Sequence, residues 1–550
     1  MKRIVLVLAL LSATAPAQEQ RQMEVNVGGP GPRREAPAAR KVTPEQVKRG
    51  QQWMQAAEAQ AKGLEGGMRA YALLQIGKSY AASDKKHALE LLEDALSASR
   101  AIEDSPHTSP RMQTRTRLQQ QILAAIVPLA PERADELVTQ LDPAGRESVL
   151  RALLDYYRKS KQESHAREMV YRIAAESEFP YGVGAEMMRG MPAAQQGELQ
   201  QMFTTALESY RNHKHQGITI GSGDFASLIN EFHKQLSPDV VKEAIAEVLR
   251  QAEAPPDEGQ QPQHISVASA NGAVAMSSMY DYRLFQLLPT LQAVDPDEAE
   301  RLLKKNREVA GMLEKYPQGA DQLNGPRPGA GARGGPGAGA MTFVGDGGGP
   351  GGGMDNAQMM RMQKIQRDAA EHPADALANV STLTSPAMKA QALQGIAQQT
   401  WKKDASVAKS ALKQLVEVVP QLEAQEQILP MRTAASLYLQ MGDADEARKV
   451  IEKGLESAAK LYKQDTDADD PNKALEAYWP SANAYAGLLQ VAAQIAPDWA
   501  LERLKDAPDE AIAAVARIAM ASALLGHPAG DVTIISEKKN GESMMMMTPD

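Results

Sequence analysis

Residues 69–96 read RAYALLQIGKSYAASDKKHALELLEDAL, and residues 389–416 read KAQALQGIAQQTWKKDASVAKSALKQLV. In the first stretch Leu73, Ile76, Gly77 and Tyr80 fall at i, i+3, i+4 and i+7, the spacing of one helix face. Asp84 sits in a short polar turn. Ala88, Leu91, Leu92 and Ala95 then mark one face of a second helix. Gly77 and Ala88 are small where the two axes must approach. The second stretch repeats the arrangement with Leu393, Ile396, Ala397 and Thr400, then Asp404, then Ala408, Leu412 and Leu415. Two helices of three to four turns joined by a few residues form an antiparallel αα-hairpin. A hairpin cannot cover its own apolar face, so the pattern recurs because each unit packs against the next.

The composition agrees with helix-on-helix packing. Hydrophobic residues make up 43% of the 550-residue chain but aromatics only 4%, so the core rests on Ala, Leu, Ile, Val and Met. Alternating β-branched runs, the mark of strands, are hard to find. The net charge is −9, with Lys and Arg scattered among Glu and Asp. The basic stripe of a nucleic-acid binder is missing, and acidity weighs against anionic lipid surfaces. There is no cysteine, which removes disulfides, thiolate metal sites, cysteine nucleophiles and lipid attachment through an N-terminal cysteine.

The start of the chain has the three parts of a secretory signal peptide: Lys2-Arg3, the apolar run Ile4 to Leu11, and Ala15-Pro16-Ala17 before Gln18. Residues 1–17 are read as that peptide, with cleavage between Ala17 and Gln18. The product is expected in the periplasm or outside the cell, without a membrane anchor. Residues 18–42 carry no apolar period and read as a disordered leader. At Thr43-Pro44-Glu45-Gln46 a capping box with Pro at the first helical position opens the first helical repeat block, 44–316. Within residues 317–354, read as a linker, the stretch 325–353 is GPRPGAGARGGPGAGAMTFVGDGGGPGGG; such a composition cannot offset its ordering entropy. A second helical block follows over 355–526, and 527–550 reads as a disordered tail.

The stretch MRTAASLYLQMGDADEARKVIEKGL, residues 431–455, resembles a tetratricopeptide repeat. Met431, Ala434, Ala435 and Tyr438 stand in its first helix, Gly442-Asp443 in its turn, and Ala447, Ile451 and Gly454 in its second helix. Residues 73–95 match with one residue fewer in the turn. Leu154, Tyr157, Ala166, Val170 and Ile173 make a weaker copy. The repeat family's terminal Pro is missing and the unit spacing is irregular. The resemblance therefore implies an irregular, tetratricopeptide-like α-solenoid: an all-α stack in two blocks, with a long inner surface that holds protein or peptide partners through exposed first-helix residues. Positions matching that surface include Tyr71, Lys78, Arg432 and Ser436.

A smaller motif marks second helices. Ala130-Pro131-Glu132, Asp295-Pro296-Asp297, Ala496-Pro497-Asp498 and His372-Pro373-Ala374-Asp375 each place Pro at a helix start with acids near its positive end. Asp295 and Asp297 therefore read as helix-start acids rather than a catalytic carboxylate pair.

Chemistry-bearing motifs are sparse. His213-x-His215 with His233 puts two imidazoles on different helix faces, a poor metal pair. Gly345–Gly353 lacks the Lys-Ser/Thr of a phosphate loop, and Gly221-Ser222-Gly223 is no nucleophile elbow. The Met clusters at Met354–Met362 and Met544–Met547 could bind Cu(I) through thioethers, but read as core and tail. No metal or cofactor is expected. The leading expectation is an exported, non-enzymatic binding scaffold. The alternatives are an α/α helical enzyme on envelope polymers, which needs carboxylates about 5–10 Å apart in a deep pocket, and a structural component of an envelope assembly.

Overall fold

A computed structural model describes residues 42–102, 114–213, 224–253, 265–269, 272–324, 356–466 and 471–526, with two short strands near the N-terminus. Those strands, β1 (Val5–Leu8) and β2 (Met23–Asn26), pair antiparallel. Ala17 and Gln18, most of the leader, the Gly/Pro-rich stretch 325–353 and the tail 527–550 lie outside the described residues.

The ordered chain opens with α1 (Pro44–Lys62), α2 (Gly66–Tyr80), α3 (Lys85–Ser99), α4 (Thr114–Ile126), α5 (Pro131–Val138) and α6 (Pro143–Lys159). It continues with α7 (Glu163–Glu176), α8 (Tyr181–Gly190), α9 (Gln196–Asn212), α10 (Phe225–Phe232) and α11 (Pro238–Glu253). After strands β3 (Ile265–Ser269) and β4 (Gly272–Met276) come α12 (Met279–Val294), α13 (Pro296–Lys305), α14 (Arg307–Lys315) and α15 (Ala320–Asn324). The remainder is α16 (Asn356–Glu371), α17 (Pro373–Asn379), α18 (Pro386–Thr400), α19 (Ala405–Val418), α20 (Ala424–Gln440), α21 (Ala444–Thr466), α22 (Pro471–Ile495), α23 (Pro497–Leu504) and α24 (Glu510–Leu524). The fold is an irregular all-α hairpin solenoid. No helix among the described residues is long and apolar enough to cross a membrane.

Local chemistry sets the hairpins. Thr43 Oγ1 accepts from Gln46 N at 3.2 Å while Gln46 Oε1 accepts from Thr43 N at 2.9 Å, so the capping box at the start of α1 is formed. Asp84 caps α3 through His87 N, and Asp404 caps α19 through Ser406 N and Val407 N. The four copies of the Pro-and-acid motif start α5, α13, α17 and α23, each the second helix of its pair. Gly77 lets α2 and α3 close up: a Cβ there would lie 2.8 Å from Leu92 Cγ and 3.3 Å from the Ala88 carbonyl oxygen. Gly454 does the same for α21, where a Cβ would meet Leu488 of α22 at 2.8 Å and Met431 of α20 at 3.4 Å.

The grouping of helices departs from the expected blocks 44–316 and 355–526. The compact units are Pro37–Tyr156 with Pro350–Asp550, and Tyr157–Gly349 with Met1–Ala36. The division falls inside α6. In the first, the end-joined unit, the helices form two layers. One runs α16, α18, α20, α22, α24, α2, α4, and the other α17, α19, α21, α23, α1, α3, α5. The step from α24 to α1 is not between sequence neighbours: the last and the first helices of the described residues form one hairpin between them. They lie antiparallel, with Gly50 against Ala521 and Leu525 at one end and Gln60 Nε2 donating to the Glu510 carbonyl at the other. The physical reason is the one that drives every other pair. The apolar faces of α1 and α24 are of the same kind, and each covers the other.

The middle unit repeats the layering, with α8, α10 and α12 beside α9, α11 and α13. Residues 282–288 of α12 are buried without a break, because α10, α11, α13, α14 and α15 surround it. The β3–β4 ribbon, with Ile265 opposite Met276 and Val267 opposite Val274, is a local exception to the helical reading. Its signal was present in ISVASANGAVAM, where short alternating runs flank Asn271-Gly272, a dipeptide that favours hairpins.

Candidate functional site

The four surface positions picked from sequence have different fates. Tyr71 does not stand on the surface: it is 5% exposed, and its hydroxyl donates to Asn483 Oδ1 of α22 at 2.6 Å. Burial pushes its phenol pKa far above the ordinary value. The expectation of an open first-helix face fails at α2 because residues 70–74 are buried on every side. The neighbouring first-layer helix α24 and the paired α3 and α1 cover α2 around its circumference.

Arg432 and Ser436 lie one turn apart on α20 and are both half-buried. Ser436 Oγ accepts from Gln440 Nε2 at 3.3 Å. The Arg432 side chain lies over Gly487 of α22, where a Cβ would come 2.9 Å from Arg432 Cδ. Asn483, Gly487 and Gln490 follow one another at i, i+4 and i+7 and share one face of α22. Tyr71 and Arg432, some 360 residues apart in sequence, thus meet the same polar stripe from α2 and α20. Asn483, Gly487 and Gln490 went unread at the sequence level. The available signal was polar side chains at helical spacing inside an otherwise apolar segment, SANAYAGLLQVAAQI.

Lys78 is exposed, as its position implied. With Ala81 at the end of α2 and Gln121, Ala124, Ala125 and Pro128 at the end of α4 it lines a shallow cleft of about 340 Å³. Desolvation at the cleft lowers its pKa. No carboxylate pairs with it among the described residues. A second cleft, about 380 Å³, lies between α17, α18 and α19 and brings Lys389 and Glu417 to an apolar wall that includes Leu377 and Leu393.

Other charged groups are committed to joining repeats. Arg49 of α1 pairs with Asp498 of α23 at 3.0 Å, Lys242 of α11 with Asp295 of α13 at 3.1 Å, and Lys409 of α19 with Asp443 beside α21 at 2.7 Å. Arg158–Glu186, Arg167–Glu198 and Arg189–Glu231 do likewise in the middle unit. The Glu298 backbone N–H and the Lys242 ammonium hold the Asp295 carboxyl below its usual range, so Asp295 is a helix cap and an ion-pair partner.

The middle unit also encloses a charged centre. Asp224 caps α10, accepting from Ser227 N at 2.8 Å and Ser227 Oγ at 2.7 Å. It also pairs with the buried guanidinium of Arg283, which donates to Gln286 Oε1 at 2.7 Å. Burial opposes the Arg283 charge, yet the Asp224 carboxylate outweighs it and keeps that pKa above the ordinary value. Tyr181, Phe203 and Tyr210 gather around Phe225, with Phe179 against Tyr181, and Tyr210 stacks on Phe225 at 4.9 Å. Burial raises the Tyr210 phenol to about 12. The Tyr181 hydroxyl is buried without a hydrogen-bond partner among the described residues. The pair and its hydrogen bonds tie the start of α10 to α12.

His213 Nδ1 and His233 Nδ1 each donate to a carbonyl of their own helix, at 2.8 Å from Ser209 and 2.7 Å from Asn230. His215 lies outside the described residues. Among the described residues no group of three His, Asp or Glu could hold a metal ion.

No family model matches the chain, and no curated protein matches it in sequence. Among solved structures it is similar to a "Circular tandem repeat protein with novel repeat topology and enhanced subunit contact surfaces", at 11% identity, over 86% of this chain and 87% of that one, with a TM-score of 0.21. A score that low carries no argument, and the assignment as a helical repeat rests on the packing described above.

Proposed function

We propose that this chain is an exported, non-enzymatic α-solenoid scaffold that binds proteins or peptides at clefts between successive hairpins. One observation carries the reading. Where repeats meet, several cations are matched with acids of the next repeat, whereas Lys78, at a small-residue cleft between α2 and α4, has no carboxylate partner among the described residues. An unmatched, partly desolvated cation beside apolar surface is a group left over for a partner. The signal-peptide pattern supports export, and N-terminal sequencing of the mature protein is expected to begin at Gln18.

The test of binding is selection of displayed random peptides on the full chain, followed by filling the cleft. Selected peptides are expected to lose at least tenfold in affinity with Ala124→Arg, at unchanged thermal stability. Failure to enrich any peptide, or unchanged affinity in the variant, would count against the reading.

A further inference from the structure

Pro128 ends α4 in a way that leaves hydrogen-bond acceptors behind. It follows Ala124 by four positions and has no N–H, so the Ala124 carbonyl loses its helical donor. Leu129 N, which would serve the Ala125 carbonyl, donates to Ile126 O at 2.9 Å instead. The carbonyls of Ala124 and Ala125 thus have no backbone donor among the described residues. Carbonyls at a helix C-terminus point along the axis, past the last turn. Both residues line the cleft that Lys78 lines, together with Gln121 and Pro128 of the same α4 face. The Gln121 side-chain amide also makes no hydrogen bond among the described residues.

The electrostatics of the cleft have one sign. Lys78 is the one charged residue among those that line it. It stands in the last turn of α2, where the negative end of the helix favours a cation but supplies no carboxylate. Asp84, in the turn after α2, is committed to α3: its Oδ1 accepts from His87 N at 3.0 Å. The floor of Ala81, Ala124 and Ala125 is built of small side chains, which let another backbone come close.

We infer that this cleft is a docking site for an extended peptide that carries an Asp or Glu. The acid accepts from the Lys78 ammonium, and peptide N–H groups donate to the Ala124 and Ala125 carbonyls. A helical peptide has its N–H groups engaged within itself and cannot serve those carbonyls. A basic peptide meets Lys78 without a counter-charge. The inference rests on the scaffold reading and names the chemistry of its partner.

The probes are two displayed libraries of short random peptides, identical except for a fixed Asp or a fixed Lys at the centre. Wild-type full-length protein is expected to enrich binders from the Asp library. Changing the central Asp of such a binder to Asn should weaken it at least tenfold, the scale of one charge-assisted hydrogen bond. The Lys78→Glu protein, altered at an exposed side chain, is expected to enrich from the Lys library instead. Methylating peptide-bond nitrogens of an Asp binder one at a time is expected to find a position that costs at least fivefold. Equal enrichment from both libraries, or Asp binders indifferent to Lys78→Glu, would overturn the inference. If those peptides still lose affinity with Ala124→Arg, the scaffold reading survives it. The absence of any position sensitive to methylation would overturn the extended pose. No enrichment from either library would overturn the inference and the scaffold reading together.

Discussion

The hydroxyl of Tyr71 donates to Asn483 at 2.6 Å across 412 positions of sequence, in a place where both side chains are buried. That bond ties α2 to α22 past the intervening α24. Tyr71→Phe removes the donor and leaves the Asn483 carbonyl short of a partner, at a cost of about 1–3 kcal/mol. Denaturant unfolding of the full chain measures it. Tyr71→Phe with Asn483→Leu is expected to cost less than the two single changes added together, because the double variant strands no polar atom.

Glycine positions separate packing from propensity. Gly77→Ala adds a methyl 2.8 Å from Leu92 Cγ, and overpacking of this kind costs about 1–3 kcal/mol, more than the helix-propensity gain of about 1 kcal/mol. Gly395 of α18 has no atom within 4 Å of an added Cβ, so Gly395→Ala is expected to raise stability by about 0.5–1 kcal/mol. Thermal melts of the two variants should move in opposite directions. A downward shift in both would contradict the packing assigned to these helices.

In the middle unit, Asp224→Asn leaves the Arg283 guanidinium buried without its counter-charge and is expected to cost about 3–5 kcal/mol. Replacing both by Leu removes the charge along with its partner and should recover much of that loss. If the single and double variants melt alike, the pair does not carry the role given to it.

Stability should fall at both ends of the pH scale, for separate reasons. The Asp295, Asp443 and Glu247 carboxyls are held below their ordinary values, with Lys409 foremost at Asp443 and Arg250 at Glu247. A depressed carboxyl contributes above its unfolded pKa, about 4, and that contribution is lost as pH drops through the folded value. Burial raises the phenols of Tyr71, Tyr181 and Tyr210, so the folded state keeps protons that the unfolded chain releases above about pH 10. Stability is then lost as pH rises past that point. Phenolate absorbance is the check: these tyrosines should titrate together with loss of helix rather than before it.

Much of the local structure was legible. Period and turn chemistry placed the hairpin of α2 and α3, the capping box at Thr43, the Asp caps at 84 and 404, and the Pro-started second helices at 131, 296, 373 and 497. Each depends on residues within a few positions of one another, which is the range over which helix periodicity and capping act. The ribbon at 265–276 was missed, although its alternation and Asn-Gly were there to read, because its runs of small residues resemble the Ala-rich helices around it.

The sequence by itself determined that this chain is a series of helical hairpins and which face of each helix is apolar. Only the tertiary structure decided which hairpins are neighbours, that α24 completes its pair with α1, and that Tyr71 is buried while Lys78 is not. An apolar face built from Ala, Leu and Gly states the need for a cover without naming the cover. The choice is made by close approach between helices hundreds of residues apart, where one methyl group at Gly50 or Gly77 is enough to forbid the fit.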